Sequence, residues 1–307
     1  LSDFNWALLP LILVLTSMNY VLRFVKWEYY LRLIGVRGLR KSDSFLVFFS
    51  GLGMVITPGK VGEWLKSYLL REVHGTPIAR SAPILIAERL TDSVALLIIG
   101  GAGVLVFGDL WEVFVAVAGG IVLIVAVVSH RPTAMALMRL GEHIPIVKRF
   151  MPQLEEFYES ARVLLSPRTV IEMSLLSTFS WFFEVLGFYF TLVGIGVDPG
   201  GSAMLHAAFI LPIATLASAI LMTPGGLGVA EGALVTLTVN LLDVSKSAAT
   251  VGTFIIRFGT LWFGVIVGLI AFAVLSRRIA LSSAVEPALA VADDVVAPIE
   301  SIPEAPP

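Results

Sequence analysis

Apolar runs of about twenty residues, separated by short polar connections, dominate this chain. Five of them reach the roughly 20 mostly apolar residues that a spanning helix needs: about 4–24, 81–107, 112–129, 170–193 and 250–275. Two further apolar regions are broken in the middle. Residues 45–56 lead to a turn at 57–59 and then to 61–70; residues 204–222 lead to a turn at 223–226 and then to 227–242. The arms of the first are too short to cross comfortably, so it reads as a re-entrant hairpin. The leading arm of the second is long enough to cross, but a hairpin and two crossings alike return the chain to its starting side. Segment 132–167 follows another rhythm. Val147, Phe150, Met151, Leu154, Phe157, Tyr158, Ala161, Leu164 and Leu165 recur at helical spacing, with Glu155, Glu156, Glu159 and Arg162 between them. This predicts an amphipathic helix at the membrane interface, either a linker packed on the bundle or a regulatory element. Residues 279–307, acidic and rich in Ala, Val and Pro, read as a disordered cytoplasmic tail.

Composition turns the pattern into a class. Hydrophobic residues make up 57% of the chain and charged residues 14%, against about 25% charged in soluble domains. The expectation is an all-α polytopic membrane protein. With no cysteine, disulfides, thiol catalysis and thiolate metal sites are excluded. The four histidines (His74, His130, His143, His206) form no metal-binding pairing, so no metal, cofactor or catalytic constellation is expected, and nothing resembles a nucleic-acid module. The opening run lacks a basic leader and a small-x-small cleavage site, so it reads as a retained helix rather than a signal peptide.

Basic residues orient the chain. Arg23, Lys26, Arg32, Arg37, Arg40 and Lys41 follow the first run, and Arg131, Arg139, Lys148, Arg149, Arg162 and Arg168 follow the 112–129 run. Arg277 and Arg278 close the last run, whereas Asp109, Glu112 and Asp198 mark the opposite connections. The basic loops and the tail are therefore expected in the cytoplasm of a prokaryote, across its plasma membrane. Parity makes the two broken regions enter from opposite faces. The organisation predicted for 1–278 is an inverted repeat: half A at about 4–107, a reversing helix at 112–129, and half B at about 170–278.

The breaks share a motif. Thr57-Pro58-Gly59 returns as Thr223-Pro224-Gly225; Gly62 follows the first and Gly228 the second, and each is succeeded at nearly the same offset by an arginine in an apolar helix, Arg89 or Arg257. Paired broken helices in two halves of a membrane protein point to a transport site. Proline ends one half-helix and glycine lets the next begin, aiming free N–H groups and a positive dipole end into the membrane, a ready anion site. Lys60 adds a charge to one tip, where the other has Gly226. The competing reading is a pair of proline kinks with packing roles only.

An intramembrane arginine costs about 2.5–3.5 kcal/mol on insertion scales, so each should face a cavity or a partner. Arg89 has Glu88 beside it and Asp92 at i, i+3, which leaves a local ion pair open; Arg257 has no acid nearby in sequence and could snorkel. The functional reading places both in one cavity binding phosphate, for which guanidinium geometry is suited. Glu63, Glu184 and Glu231 are acids in apolar contexts that either take a coupling proton or compensate an arginine.

On the stretches RFVKWEYYLRLIGV, TPGKVGEWLKSYLLRE, AERLTDSVALL and TPGGLGVAEGAL, the chain resembles the flippase-like transmembrane family typified by the membrane region of lysylphosphatidylglycerol synthetases, over about residues 4–278. The resemblance implies lipid translocation without a soluble synthase domain, so aminoacyl transfer is not expected. Members often carry a further hydrophobic segment ahead of the position of Phe4, which leaves the helix count open. The combined expectation is a flippase for a lipid with an anionic or phosphate-bearing headgroup. The alternatives are a membrane scaffold for a lipid-synthesis or cell-envelope partner and an intramembrane lipid-modifying enzyme; the partners expected are the lipid itself and a second copy of the chain or a lipid-synthesis enzyme.

Overall fold

The computed structural model of the protein describes residues 4–57, 62, 64–107, 111–130, 148–221 and 223–296. Described residues outside the connections are helical. After a short turn capped by Asn5, α1 (Leu9–Leu33) starts with Pro10 in its first turn, where the missing N–H costs nothing. It stops at Gly35, whose φ of 80° lets the Val36 N–H reach back to the Leu31 carbonyl. The helix therefore runs well past the expected end near residue 24. Arg23 and Lys26, read from sequence as part of a cytoplasmic connection, lie inside it, and Lys26 is 1% exposed.

Then follow α2 (Lys41–Gly53), α3 (Leu65–His74), the single turn α4 (Ile78–Ser81), α5 (Pro83–Phe107), α6 (Trp111–Ser129) and α7 (Met151–Leu164). The remainder is α8 (Pro167–Gly194), α9 (Gly201–Ile220), a tight turn at Pro224–Gly226, α10 (Val229–Leu242), α11 (Lys246–Arg257), a π-helical segment at Phe258–Trp262, and α12 (Phe263–Val296). Six stretches among the described residues are long and apolar enough to cross a membrane: Trp6–Leu33, Ile78–Phe107, Pro167–Gly194, Gly201–Ile220, Pro224–Leu242 and Lys246–Ala280. Both arms of the second broken region thus reach spanning length, while α6 offers the shorter apolar stretch Val115–Val128.

Two cores occupy opposite ends of the bundle. One gathers Trp27, Tyr30, Phe48, Leu70, Leu164 and Leu275 from α1, α2, α3, α7 and α12. The other gathers Phe4, Phe188, Leu192, Ala207 and Ile256, with Met204 and Leu242 packed against it. The pair α2–α3 has its outer ends at the first core, where His74 Nε2 hydrogen-bonds the Arg37 carbonyl at 2.8 Å. The pair α9–α10 has its outer ends at the second. The two broken regions therefore approach from opposite ends, and their tips touch: the Gly225 N–H donates to the Val55 carbonyl at 3.1 Å.

Glycine sets the tightest packing. A Cβ on Gly268 of α12 would overlap the Gly53 nitrogen, so α2 and α12 meet backbone to backbone. Helix α7 docks on the bundle. Tyr158, Ala161, Leu164 and Leu165 are buried, and Arg80 pairs with Glu156 at 2.8 Å. Residues 131–147 of the expected amphipathic segment lie outside the described residues, and so do 297–307 of the expected tail. Residues 279–296, expected to be disordered, instead continue α12 to Val296. The alanines of that stretch are the strongest helix formers.

Candidate functional site

A cavity of about 150 Å³ lies where the two tips meet. Its charged lining comes from four helices: Arg23 of α1, Arg89 of α5, Glu184 of α8 and Arg257 of α11. Tyr20 and Trp181 face the same space, as do Gly225 and Gly226 of the second tip, with Thr215 and Ser218 of α9 supplying hydroxyls.

The second tip is built from left-handed glycines. Gly225, Gly226 and Gly228 have φ of 59°, 74° and 83°, a region costly for a residue with a Cβ. Arg257 holds this turn in shape. Its Nε–H donates to Glu231 Oε1 at 2.6 Å and its Nη2 to the Gly225 carbonyl at 2.5 Å. The other Glu231 oxygen accepts the Gly228 N–H at 2.6 Å. The N-terminus of α10 is therefore capped by the protein's own carboxylate, not open to an anion as the sequence suggested. Gly228, Thr223, Pro224 and Glu231 lie off the cavity lining. The physical reason is the capping geometry: an acid three residues into a helix folds back onto the first amide.

At the first tip, Thr57 Oγ1 donates to the Met54 carbonyl at 2.8 Å and accepts the Gly62 N–H at 2.7 Å. A Cβ on Gly62 would overlap that same carbonyl, so this position needs glycine. Pro58, Gly59, Lys60 and Glu63 lie outside the described residues, and Thr57 and Gly62 are structural neighbours of the cavity, not its lining.

The acids of α5 are engaged by lysines that the sequence did not pair with them. Asp92 Oδ1 accepts Lys26 Nζ at 2.5 Å and Ser177 Oγ at 2.9 Å, and Arg23 stands 3.7 Å from its second oxygen. Lys26 also donates to Ser177 at 2.7 Å and Thr91 at 3.2 Å, which satisfies its ammonium in the interior. Glu88 pairs with Lys66, whose ammonium also lies 4.9 Å from the Trp27 ring and 5.4 Å from the Phe48 ring. These pairs knit α1, α3, α5 and α8 together behind the cavity wall. Arg89 lies on the cavity, and its expected partner Asp92 carries Lys26. Among the described residues no cluster of three His, Asp or Glu could hold a metal ion.

Sequence reasoning did not place Arg23, Tyr20, Trp181, Thr215 or Ser218 on the cavity. Tyr20, Arg23, Trp27 and Tyr30 recur at helical spacing through the end of α1, a polar and aromatic stripe that continues the helix instead of ending it.

This architecture coincides with a family match. The model of the lysylphosphatidylglycerol synthase TM region fits residues 1–268, and the chain belongs to that family of multi-pass membrane proteins. A UPF0104 membrane protein of Methanothermobacter thermautotrophicus is 24% identical, with 81% of this chain and 82% of that protein aligned. A UPF0104 membrane protein of Methanocaldococcus jannaschii is 23% identical over 73% of this chain and 94% of its own length. Glycosyltransferase AglD of Haloferax volcanii is 23% identical over 81% of this chain, but the match spans only 46% of that longer protein. No solved structure matches the chain.

Proposed function

We propose that the protein is a lipid flippase that moves an anionic or phosphate-bearing headgroup between leaflets by alternating access. The observation that carries this reading is the cavity itself: three arginines and one glutamate converge where two broken hairpins touch. Guanidinium groups suit phosphate oxygens, and intramembrane charges facing a cavity mark substrate pathways. In this reading the two hairpins are re-entrant elements of an inverted repeat. Rocking of one half against the other breaks the contact between Gly225 and Val55 and opens the cavity to each leaflet in turn. A volume of about 150 Å³ corresponds to about five waters, room for a phosphate group but not for acyl or prenyl chains, which stay in the bilayer. The basic end of the bundle, with Arg37, Arg40, Arg71 and Arg278, faces the cytoplasm across a prokaryotic plasma membrane.

The test is leaflet-specific movement of a fluorescent phosphatidylglycerol in proteoliposomes. Arg23→Ala and Arg89→Ala are each expected to slow it at least about tenfold, the loss of about 1.4 kcal/mol of headgroup interaction. Arg257→Lys keeps a charge but loses the two-pronged hold on the tip, and is expected to slow movement as well. Unchanged movement in folded Arg23→Ala and Arg89→Ala proteins overturns the site.

A second reading, a membrane scaffold for a lipid-synthesis or cell-envelope partner, draws on the relative named a glycosyltransferase. It predicts that substitutions on the exposed face of α7 abolish function while cavity substitutions are tolerated.

A further inference from the structure

The acids set among the helices divide into two kinds. Asp92, Glu88 and Glu231 each hold a cation or a backbone amide. Glu184 does not. It is 6% exposed and lines the cavity, and among the described residues no hydrogen bond or ion pair ends on its carboxylate. The groups around it come from every element that packs on its helix at this level. Helix α1 presents Tyr20 and Arg23, α5 presents Arg89 and Asp92, and α11 presents Arg257. Helix α9 contributes only the neutral Thr215 and Ser218.

An isolated carboxylate away from water is costly unless cations or donors hold it. Before a headgroup enters, Arg23 and Arg257 supply that compensation through space. Once a headgroup phosphate takes the arginines, Glu184 loses its compensating charge and faces a second anion inside about 150 Å³. A proton on its carboxyl relieves both penalties. Anion binding and proton binding are then linked, and by reciprocity each strengthens the other.

We propose that Glu184 takes up one proton with each anionic headgroup and releases it with that headgroup at the other leaflet, so that lipid movement is proton-coupled. The coupling rests on the flippase reading; the proton site on Glu184 does not. The step moves a single proton: carboxylate plus proton gives carboxylic acid on one side, and the reverse occurs on the other. For a singly charged headgroup the transported pair is electrically neutral.

Two measurements on the full chain separate the claims. In proteoliposomes containing fluorescent phosphatidylglycerol, a pH gradient at clamped membrane potential should drive movement in the wild type. One proton per lipid sustains about a tenfold leaflet asymmetry per pH unit. Glu184→Gln should keep any movement but lose the gradient response, and Glu184→Asp should retain a response. Wild-type movement indifferent to the gradient overturns the coupling while leaving the flippase intact. Absence of wild-type movement sinks the flippase reading and the coupling with it.

The second measurement needs no transport. Infrared difference spectra over a pH series, wild type minus Glu184→Gln, should contain a protonated-carboxyl band. Adding phosphatidylglycerol to phosphatidylcholine vesicles should move the appearance of that band to higher pH. No such band at any pH overturns the proton site, and a midpoint indifferent to phosphatidylglycerol overturns its linkage to the headgroup, even if Glu184→Gln moves no lipid.

Discussion

Arg89 and Arg257 were legible as intramembrane cations from one sequence, and the structure places both on one cavity. Their partners were not legible, because buried ions choose neighbours across helices. Glu231 lies 26 positions before Arg257, and Lys26 lies 66 before Asp92. The i, i+3 spacing of Arg89 and Asp92 offered a local pair, yet a lysine from α1, supported by Ser177 and Thr91, took the carboxylate. Removing one member of such a pair strands the other. Lys26→Met is therefore expected to destabilise the protein by about 3–5 kcal/mol, whereas Lys26→Met with Asp92→Leu should recover most of that loss. Thermal unfolding of the purified single and double variants measures the difference. A double variant no better than the single would show that Lys26 acts through packing of its stem instead.

Among the elements, hydropathy found the runs and the Thr-Pro-Gly breaks but misjudged lengths. Helix α1 outran its apolar stretch because its polar residues point inward to partners, and the long connection assigned to Arg23 and Lys26 was partly helix. Glycine spacing carried information that hydropathy does not. Gly268 on α12 meets Gly53 on α2 main chain to main chain, while a Cβ added to Gly232 on α10 would meet nothing within 4 Å. The same substitution should act with opposite sign at the two. Gly268→Ala is expected to cost about 1–3 kcal/mol by overpacking against main chain that cannot yield. Gly232→Ala is expected to stabilise α10 by about 0.5–1 kcal/mol through helix propensity. Unfolding in a denaturing detergent series, run on both variants, decides; equal effects would mean that α2 and α12 have room to separate without loss.

For the whole molecule, parity of the crossings predicts that the two broken regions enter from opposite faces, since counting turns needs no knowledge of side-chain partners. Where the tips would meet was beyond the sequence, because that contact is made by carbonyl and amide groups common to every residue. Orientation is open to a direct test, helped by a chain without cysteine. Single cysteines at Arg40 and Arg71 should react with a membrane-impermeant maleimide only from the cytoplasmic side. Those at Asp198 and Asp243 should react only from outside. Labelling of all four from one side would reverse the assignment of the hairpins to opposite faces.

The joint between the tips also bears on how this family can diverge. One partner, Val55, meets the other through its carbonyl, so the bond itself is kept by any residue that holds the same backbone path. The other, Gly225, has a left-handed backbone that few residues accept. Drift is therefore permitted on one side of the joint and barred on the other. Related sequences should show a fixed glycine opposite a more variable position, and methods that infer contacts from correlated substitutions will be blind to the place where the two tips touch.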